Sequence, residues 1–485
     1  MPRIFFRPVL LSLALPLLFA LGAAAETRSL LILHTNDIHD HVRPSRDGSG
    51  GLPYIAGYVA AERAKRGDIL LLDAGDVTEK GDMVAFATQS KVTYGAMARM
   101  KYDAAVPGNH DFSLGMEHLD ACRTLLGGTA YLCINCVNAD GTPHWEASHV
   151  FEVNGLRVGV IGATVQTDKG RTLDFDATAD RIAAEASRLD KDCSLLIVLA
   201  HLGVEDCRRL AKQVPSVDVF VGGHTHELLR APARAESGAL IVQTGNYAER
   251  IGTVELAVDT EAHTATLVKG GVVEMRHDAV PCDGDMLASI RAEEQRLCPE
   301  AARLIGRADK TVTETEMARI AAAALREKAG TDLGFCHPSQ VMRSPLPAGE
   351  VDMNTLFLTG GQRGAKLVTA TLHGSEVDAY LSGLYRDRKG VTAWSGFAAD
   401  MAADGVTSDL EPGRVYTIVM PELEWTSRFL KVWDKKAGAP PKASPCGTEF
   451  TGALADYIAR GGKEGKSVDQ LAAALSPRRT AKAGV

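Results

Sequence analysis

The chain has 485 residues, of which 45% are hydrophobic and 24% are charged, and its formal net charge is −8 at pH 7. This length predicts two domains plus a leader, and the composition is that of a soluble globular protein and excludes a disordered or fibrous one. The negative charge argues against a general surface for nucleic acid or anionic membrane, although a local basic pocket is compatible with it.

The first 25 residues have the pattern of a signal peptide. Arg3 and Arg7 give a positive start, the apolar stretch "VLLSLALPLLFALG" follows, and "AAAE" offers a cleavage site after Ala25. The alternative is an uncleaved anchor helix, but Pro16 interrupts the stretch, which is also short for a bilayer span. We expect a cleaved leader (1–25), no stable membrane anchor, and a periplasmic or secreted protein.

Residues 29 to about 275 alternate short apolar runs with helical stretches such as "LPYIAGYVAAERAKRG". The runs are "LLILHTND", "DILLLDAGD", "AAVPGNHD", "RVGVIGAT", "SLLIVLAHLG", "VDVFVGGHTH" and "LIVQTGNY". They are rich in Val, Leu and Ile with little alternation, which predicts strands covered on both faces. This pattern indicates a layered α/β domain.

Polar side chains follow at least five of these runs directly. In open α/β sheets the ligand crevice lies outside the carboxyl ends of the strands, so these side chains are expected to converge on one edge. Within two pairs, Asp37 with His39 and His224 with His226, the residues are two positions apart and point the same way in extended chain. The candidate ligands are Asp37, His39, Asp76, Asn109, His201, His224 and His226.

Two carboxylates, one amide and four imidazoles without a cysteine suit Zn²⁺, Mn²⁺ or Fe better than Ca²⁺ or Mg²⁺ alone. They are too many for one ion and suit two divalent ions that share a bridging carboxylate, about 3.5–4 Å apart. Each motif alone is weak: D-x-H is common at surfaces, and "GNHD" also fits a hydrogen-bonded turn. Their joint appearance, each after its own buried strand, carries the prediction.

The order D-x-H, G-D, G-N-H-[ED], a later His and G-H-x-H resembles the calcineurin-like metallophosphoesterases. The opening "HTNDIHDH", the leader and the length resemble the exported 5′-nucleotidase / 2′,3′-cyclic-nucleotide phosphodiesterase branch. The resemblance is specific over 29–250 and looser over 306–475. It implies a four-layer αββα catalytic domain (26–275) followed by a smaller α+β domain.

The resemblance also implies residue roles. Asp37, His39 and His226 would hold one metal, whereas Asn109, His201 and His224 would hold the other, and Asp76 would bridge them. A metal-bridged hydroxide would attack phosphorus. His110 would stabilise the transition state or protonate the leaving oxygen.

One departure concerns the stretch "GNHDFS". Relatives with "GNHEFD" place a carboxylate three residues after the catalytic His, where this chain has Ser113. A hydroxyl brings no charge, so we expect His110 to be less readily protonated and the enzyme to be slower, or to use leaving groups that need less protonation. The alternative is that Asp111 or a distant carboxylate substitutes.

The remaining segments are a charged helical connector (276–305), a 5′-nucleotidase-type substrate domain (306–475) and a disordered tail (476–485). Arg343 stands where the family has its Arg, but "HPSQ" replaces the family's Gly-rich loop. Arg343 is either a phosphate or carboxylate ligand or a structural surface residue. Candidate base-stacking residues, each of which is alternatively a core aromatic, are Phe357, Trp394, Trp425 and Phe429.

Export would favour disulfides among the nine cysteines, of which an odd one must stay unpaired or pair with another chain. Cys133 and Cys136 have C-x-x-C spacing without a second such motif or a thioredoxin-like context, so redox and zinc functions are weakly indicated. Cys282 and Cys298 flank one predicted helix and are the pair we expect first.

Three functions follow from the sequence. The first is a dimetal phosphoesterase for a small phosphate ester, with nucleotides favoured through the resemblance. The second is a dimetal hydrolase for a sulfur-linked, non-nucleotide substrate. The third is a metal-binding protein without catalysis. No nucleic-acid partner is expected, and the sequence gives no oligomeric state.

Overall fold

The computed structural model describes residues 27–79, 81–262, 264–338, 344–360, 365–386, 392–402, 405–433 and 439–475. The predicted leader, the predicted tail and Arg343 lie outside these ranges. Within them, no helix is both long and apolar enough to cross a membrane.

The N-terminal part, as far as it is described, contains twelve strands and seven helices. The strands are β1 (Thr27–Thr35), β2 (Ile69–Asp73), β3 (Ala104–Ala105), β4 (Ala130–Tyr131), β5 (Ser148–Val153), β6 (Leu156–Thr164), β7 (Leu195–His201), β8 (Val219–Val221), β9 (Ala233–Arg234), β10 (Leu240–Val242), β11 (Arg250–Asp259) and β12 (Thr264–Glu274). The helices are α1 (Leu52–Lys65), α2 (Met83–Ala87), α3 (Lys91–Met100), α4 (Met116–Leu125), α5 (Phe175–Leu189), α6 (Val204–Gln213) and α7 (Gly284–Leu297).

These strands form two six-stranded sheets, in the orders β12-β11-β1-β2-β3-β4 and β5-β6-β7-β8-β10-β9. Neighbours from β1 to β4 are parallel, as are β6, β7, β8 and β10, and β11 joins β1 in antiparallel register. The carboxyl ends of the central strands of each sheet therefore lie at one edge.

The two sheets pack face to face through a shared core. Ile32 and Leu72 of the first sheet belong to the same buried cluster as Val160 and Ile197 of the second. The opposite face of the first sheet packs on α1, α3 and α4, and that of the second packs on α5 and α6. This αββα arrangement explains the apolar runs without alternation and confirms the predicted fold class.

The C-terminal part is a mixed sheet with helices, as an α+β domain should be. Its strands are β13 (Leu304–Ala308), β14 (Leu333–Cys336), β15 (Gly349–Asp352), β16 (Leu367–His373), β17 (Ala393–Ser395), β18 (Ala399–Ala402), β19 (Gly405–Ser408), β20 (Val415–Pro421) and β21 (Ser444–Cys446). Its helices are α8 (Glu314–Ala329), α9 (Met353–Thr359), α10 (Gly374–Arg386), α11 (Phe450–Lys463) and α12 (Val468–Ala474), with a further helical stretch over 422–432. The central sheet has the order β17-β14-β20-β16-β21.

Helix α8 begins with a capping box, in which Thr313 accepts from the backbone N–H of Glu316 and the Glu316 carboxylate accepts from that of Thr313. It ends at Gly330, whose φ of 66° is the left-handed conformation that glycine tolerates best. The sequence thus specifies both ends of the main helix of this domain.

The expected pairing of Cys282 with Cys298 is wrong. Both are free thiols, and they lie at opposite ends of α7, which has 14 residues. A helix of that length spans about 21 Å, whereas a disulfide needs Cα atoms within about 7 Å. Met286 and Ile290 of this helix are buried in the core beneath the first sheet.

Several polar contacts join the two parts of the chain. Asp352, at the start of α9, accepts from Arg43 at 3.1 Å and from Arg46 at 2.8 Å. Asn354 donates to Asp82 at 2.6 Å and accepts from the backbone N–H of Met83 at 2.8 Å. The N-terminal residues of α9 thus contact loops of the first part that lead to the site described next.

Candidate metal centre

The seven predicted ligands lie together at the carboxyl ends of the strands. Asp37 follows β1, Asp76 follows β2, His201 ends β7, and His224 and His226 follow β8. The parallel register of each sheet brings these ends together, and the face-to-face packing brings the two edges alongside each other. The convergence expected from the sequence is therefore what the fold produces.

One group consists of Asp37, His39 and His226, whose candidate ligand atoms all lie within 4.8 Å of one another. Nε2 of His39 is 3.0 Å from Nε2 of His226, and Nε2 of His226 is 3.4 Å from Oδ1 of Asp37. Nδ1 of His39 lies 3.1 Å from the carbonyl oxygen of Thr78. A donor N–H at Nδ1 leaves Nε2 as the ligating atom, which is how metal-binding imidazoles are usually oriented.

A second group consists of Asp37, Asp76 and His201, again within 4.8 Å. Oδ2 of Asp76 lies 3.2 Å from Nε2 of His201 and 3.6 Å from Nε2 of His39, so this carboxylate stands between the two groups. Nδ1 of His201 donates to the carbonyl oxygen of Ala74 at 2.8 Å, which again turns Nε2 inward.

Asn109 and His224 lie beside this second group. Nδ1 of His224 lies 2.9 Å from Oδ1 of Asn109, and the rings of His201 and His224 have centroids 5.3 Å apart. The backbone N–H of His224 donates to the Asp37 carboxylate. The amide and the fourth imidazole therefore face the same space as Asp76 and His201.

The residues fit a pair of divalent cations. Oδ2 of Asp76 and Nε2 of His201 are buried without a hydrogen-bond partner in the described part of the chain. Such atoms are costly to bury unless something pairs with them. A Cβ at Gly108 would lie 2.1 Å from Oδ1 of Asp76, and one at Gly223 would lie 2.9 Å from Nδ1 of His201, so both positions require glycine. The donors are imidazole, carboxylate and amide, which suits Zn²⁺, Mn²⁺ or Fe.

Five of the seven candidate ligands have positive φ angles, between 49° and 71°. They are Asp37, His39, Asp76, His224 and His226. Non-glycine residues seldom adopt this conformation, and clusters of them mark functional sites. The tight turns aim side chains back over the strand ends, where an ideal extended chain would not place them.

Asp76 and His201 have opposite pKa shifts. Burial raises the pKa of Asp76, but the imidazoles of His201, His39 and His110 outweigh it and hold that pKa well below its usual value. For His201, burial acts to lower the pKa, and the carboxylates of Asp76 and Asp37 raise it to about 10. Because an imidazole must be neutral to ligate, a cation binding here must displace the proton of His201.

His110 does not join the ligand set. Its backbone N–H donates to Oδ1 of Asp76 at 2.8 Å, and its ring lies 5.1 Å from that of His39 in an edge-to-face arrangement. Nδ1 of His110 contacts the carboxylate of Glu79, and Oγ of Ser113 donates to the same oxygen at 2.9 Å. Sequence reasoning missed Glu79, since no motif or spacing relates it to a residue 31 positions away.

Asp111 lies behind the site, where its carboxylate accepts from backbone N–H groups. Its carboxylate accepts from the backbone N–H groups of Gly108 at 2.7 Å and of Asp76 and Thr78, each at 3.0 Å. Asp111 therefore helps to join the loop after β2 to the loop after β3.

A cavity of about 1030 Å³ lies beside the centre, between the two parts of the chain. Its lining includes His41, Tyr247, Arg46, Phe86 and Phe357. The rings of His41 and Tyr247 are stacked 4.1 Å apart, and those of Phe86 and Phe357 are 6.1 Å apart. Phe357 is thus the one predicted stacking residue that reaches this space among those described.

The other predicted stacking residues pack within the C-terminal domain. Trp425 and Phe429 are buried, with relative exposures of 5% and 0%, and their rings stack on each other at 4.3 Å. Trp394 stacks on Phe397 at 5.8 Å. Burial in this core leaves Trp425 and Phe429 no surface for a ligand, which corrects their assignment to substrate binding.

Residues 30–228 match the model of the calcineurin-like phosphoesterase family. The chain is 27% identical over 340 residues to the uncharacterized metallophosphoesterase YunD of Bacillus subtilis, covering 66% of this chain and 71% of that protein. It is 32% identical over 271 residues to the snake venom 5′-nucleotidase of Crotalus adamanteus, covering 51% of this chain and 45% of that protein. Other curated relatives are also matched over part of their length, from 40% to 58%.

The fold is shared with a crystal structure, that of a 5′-nucleotidase precursor from Thermus thermophilus. The TM-score is 0.66 at 21% identity, over 89% of this chain and 96% of that one. The family match and the 5′-nucleotidase relatives, together with candidate carboxylate and imidazole ligands at the strand ends, identify a metal-dependent phosphoester hydrolase. Residues 30–228 match the calcineurin-like phosphoesterase family, whose members use a dinuclear metal centre, and this match bears out the resemblance and the enzyme class predicted from the sequence.

Proposed function

We propose that this protein is an exported phosphoesterase that hydrolyses small phosphate esters, with nucleotides as the favoured substrates. The position of Asp76 between two ligand groups is the observation that carries the proposal. One carboxylate within 3.2 Å of His201 and 3.6 Å of His39 suits two cations held side by side.

In this proposal Asp37, His39 and His226 would hold one cation, Asn109, His201 and His224 would hold the other, and the Asp76 carboxylate would be shared between the two sets of residues. Two divalent cations, when bound, supply Lewis-acid activation of water and neutralise phosphoryl charge. The donor set favours Zn²⁺, Mn²⁺ or Fe. The carbonyl groups of Thr78 and Ala74 orient the imidazoles of His39 and His201 toward the centre.

His110 is the residue of this chain that acts on the leaving group. Its backbone N–H is anchored to Asp76, so its ring is held at the rim of the centre. With Nδ1 directed at Glu79, Nε2 occupies the opposite edge of the ring, the position from which a proton can be given to the departing oxygen. His110 therefore serves as general acid.

The cavity supports a substrate larger than a simple phosphate ester. Its two walls come from different parts of the chain, and Phe86, which is 51% exposed, faces it together with Phe357. Aromatic side chains in a cavity beside the candidate metal centre suit a leaving group that carries a planar base, such as a nucleoside. The match to a snake venom 5′-nucleotidase is in line with this choice. The pattern of residues 1–25 supports export to a periplasm or to the medium.

The test uses the purified full-length protein, stripped by chelator and reloaded with Mn²⁺ or Zn²⁺. Nucleoside 5′-monophosphates, 2′,3′-cyclic nucleotides, glycerol phosphate and 4-nitrophenyl phosphate are compared for wild type and His110→Ala. We expect metal-dependent turnover that is highest with one nucleotide class and strongly reduced in His110→Ala. Two bound metals without turnover of any ester would instead establish a metal-binding protein, or a hydrolase for another substrate class.

A further inference from the structure

The structure places the acidic side chain of Glu79 against His110. Its carboxylate contacts Nδ1 of His110, and Ser113 donates to the same oxygen, Oε2, at 2.9 Å. A carboxylate only accepts, so both Nδ1 of His110 and Oγ of Ser113 must act as donors. Two residues of one loop, His110 and Ser113, therefore converge on one oxygen atom of Glu79 in another loop.

The backbone of Glu79 is fixed from several directions. Its N–H donates to Oδ2 of Asp40 at 2.8 Å, and its φ is 75°, an uncommon value for a residue other than glycine. Asp40 is 1% exposed and also accepts from Ser90 at 2.7 Å. A buried, hydrogen-bonded carboxylate thus holds Glu79 in a strained conformation, of the kind that clusters at active sites.

The neighbouring loop is fixed just as firmly. The hydroxyl of Thr78 donates to the carbonyl oxygen of His110 at 3.0 Å, and the backbone N–H of Ser113 donates to the same oxygen at 2.9 Å. Backbone contacts as well as side-chain contacts therefore fix the positions of Glu79, His110 and Ser113 relative to one another.

We propose that Glu79 is a positioning residue that fixes the His110 ring for proton donation to the leaving group, with Ser113 orienting the Glu79 carboxylate. Relatives that this chain resembles have a carboxylate at the position of Ser113. Here the carboxylate beside His110 is that of Glu79, which lies in the same loop as Asp76. Ser113 contributes to the site by donating a hydrogen bond to Glu79. The side chains of Glu79 and His110 are 40% and 25% exposed, so solvent screens their charges and orientation is the main effect.

This inference rests on the proposed function only where turnover is measured, so it is tested in two ways. The first needs no substrate. In histidine-labelled full-length protein, ¹⁵N NMR reports which ring nitrogen of His110 carries the proton, with His110→Asn used for assignment. Under conditions where the ring is neutral, we expect its single proton on Nδ1 in wild type and in the control Glu117→Gln, an exposed carboxylate of α4, and a shift toward Nε2 in Glu79→Gln. Holding the first proton on Nδ1 leaves Nε2 as the nitrogen that takes up the second proton and donates it to the leaving oxygen.

The second test compares leaving groups. A proton donor matters most when the leaving oxygen is basic, so a misplaced His110 should harm an alkyl ester more than an aryl ester. We expect Glu79→Gln to reduce kcat about 10- to 100-fold on a nucleoside 5′-monophosphate and less than about threefold on 4-nitrophenyl phosphate. The loss on the nucleotide would be part of the rate enhancement of about 10²- to 10⁴-fold that a general acid supplies. Ser113→Ala should show the same pattern with a smaller loss.

Placing a carboxylate at position 113 offers a matched rescue. Combining Ser113→Asp with Glu79→Gln should restore most of the loss on the nucleotide, while the metal content stays at the wild-type value. An unchanged protonation site in Glu79→Gln, or an equal loss on both esters, overturns the proposal. A protein that hydrolyses no phosphoester but shows the expected NMR shift keeps this pairing and refutes the proposed function alone.

Discussion

Oδ2 of Asp76 lies 3.2 Å from Nε2 of His201, and both atoms are buried without a hydrogen-bond partner in the described ranges. A cation between them would satisfy both. We expect Asp76→Asn to lose at least one of two bound metal ions and to reduce turnover by about 100-fold or more, the scale on which a single electrostatic stabiliser acts. Metal per chain is measured by mass spectrometry of the desalted protein.

A matched control for Asp76 is Asp218, which comes just before β8 and accepts from the backbone N–H of Leu196 at 2.8 Å. It lies at the amino end of its strand, away from the ligands. Asp218→Asn should keep both metals. Full metal content and activity in Asp76→Asn would contradict the bridging role.

Because His34 is buried, we expect the free energy of unfolding to depend on pH. His34 is fully buried in β1, and burial lowers its pKa from 6.5 to about 3. Below pH 6.5, His34 binds a proton in the unfolded chain, whereas in the native protein it stays neutral down to about pH 3. The stability due to neutral His34 is therefore complete above pH 6.5 and is lost as the pH falls toward 3, at up to about 1.4 kcal/mol per pH unit.

The measurement for His34 is urea unfolding at pH 6.5, 5.5 and 4.5. His34→Leu should lower the slope of stability against pH by about one proton. His149→Gln, at an exposed position of β5, serves as the control and should leave the slope unchanged. Equal slopes in wild type and His34→Leu would disprove the assignment.

Asp352 joins the two parts of the chain, so we expect its substitution to lower the free energy of unfolding. Its buried carboxylate accepts from Arg43, Arg46 and the backbone N–H of Thr355. Breaking a buried ion pair leaves charge unpaired, so Asp352→Asn should lower the free energy of unfolding by about 2–4 kcal/mol and broaden the distance distribution in small-angle scattering. Glu350→Gln removes the exposed partner of Arg46 and should cost less than about 1 kcal/mol.

Phe357 predicts a substrate-dependent effect. Phe357→Ala should raise KM about tenfold for a nucleoside monophosphate, because stacking of a base is worth about 1–3 kcal/mol, and leave KM for glycerol phosphate unchanged. Phe429→Leu, in the core, should lower stability without altering either KM. A uniform rise in KM for both esters would speak against a base site at Phe357.

The ligand cluster could be predicted from the sequence because each ligand follows a buried apolar run, and parallel strands bring their carboxyl ends together. Glu79 could not be predicted in the same way. Its contact with His110 depends on the positive φ of Glu79 and on the Asp40 carboxylate beneath it, and neither leaves a pattern in the chain.

The C-terminal domain was less predictable for a different reason. Trp425 and Phe429 have the residue types of a base-binding site, but composition does not say which face of a helical stretch meets the core. Cys282 and Cys298 looked paired because they flank one helix. A helix of 14 residues separates its two ends by about 21 Å, which is too far for a disulfide between them.

The positive φ angles of Asp37, His39, Asp76, His224 and His226 set a limit on engineering this protein. Each such residue costs the folded state about 1–3 kcal/mol, less for Asp and His than for bulkier types. Substitution by glycine at any of the five would relieve that strain and also delete a candidate ligand. Thermostabilising selections that ignore turnover should therefore drift toward loss of these side chains, and directed evolution of this scaffold needs a simultaneous screen for metal-dependent activity.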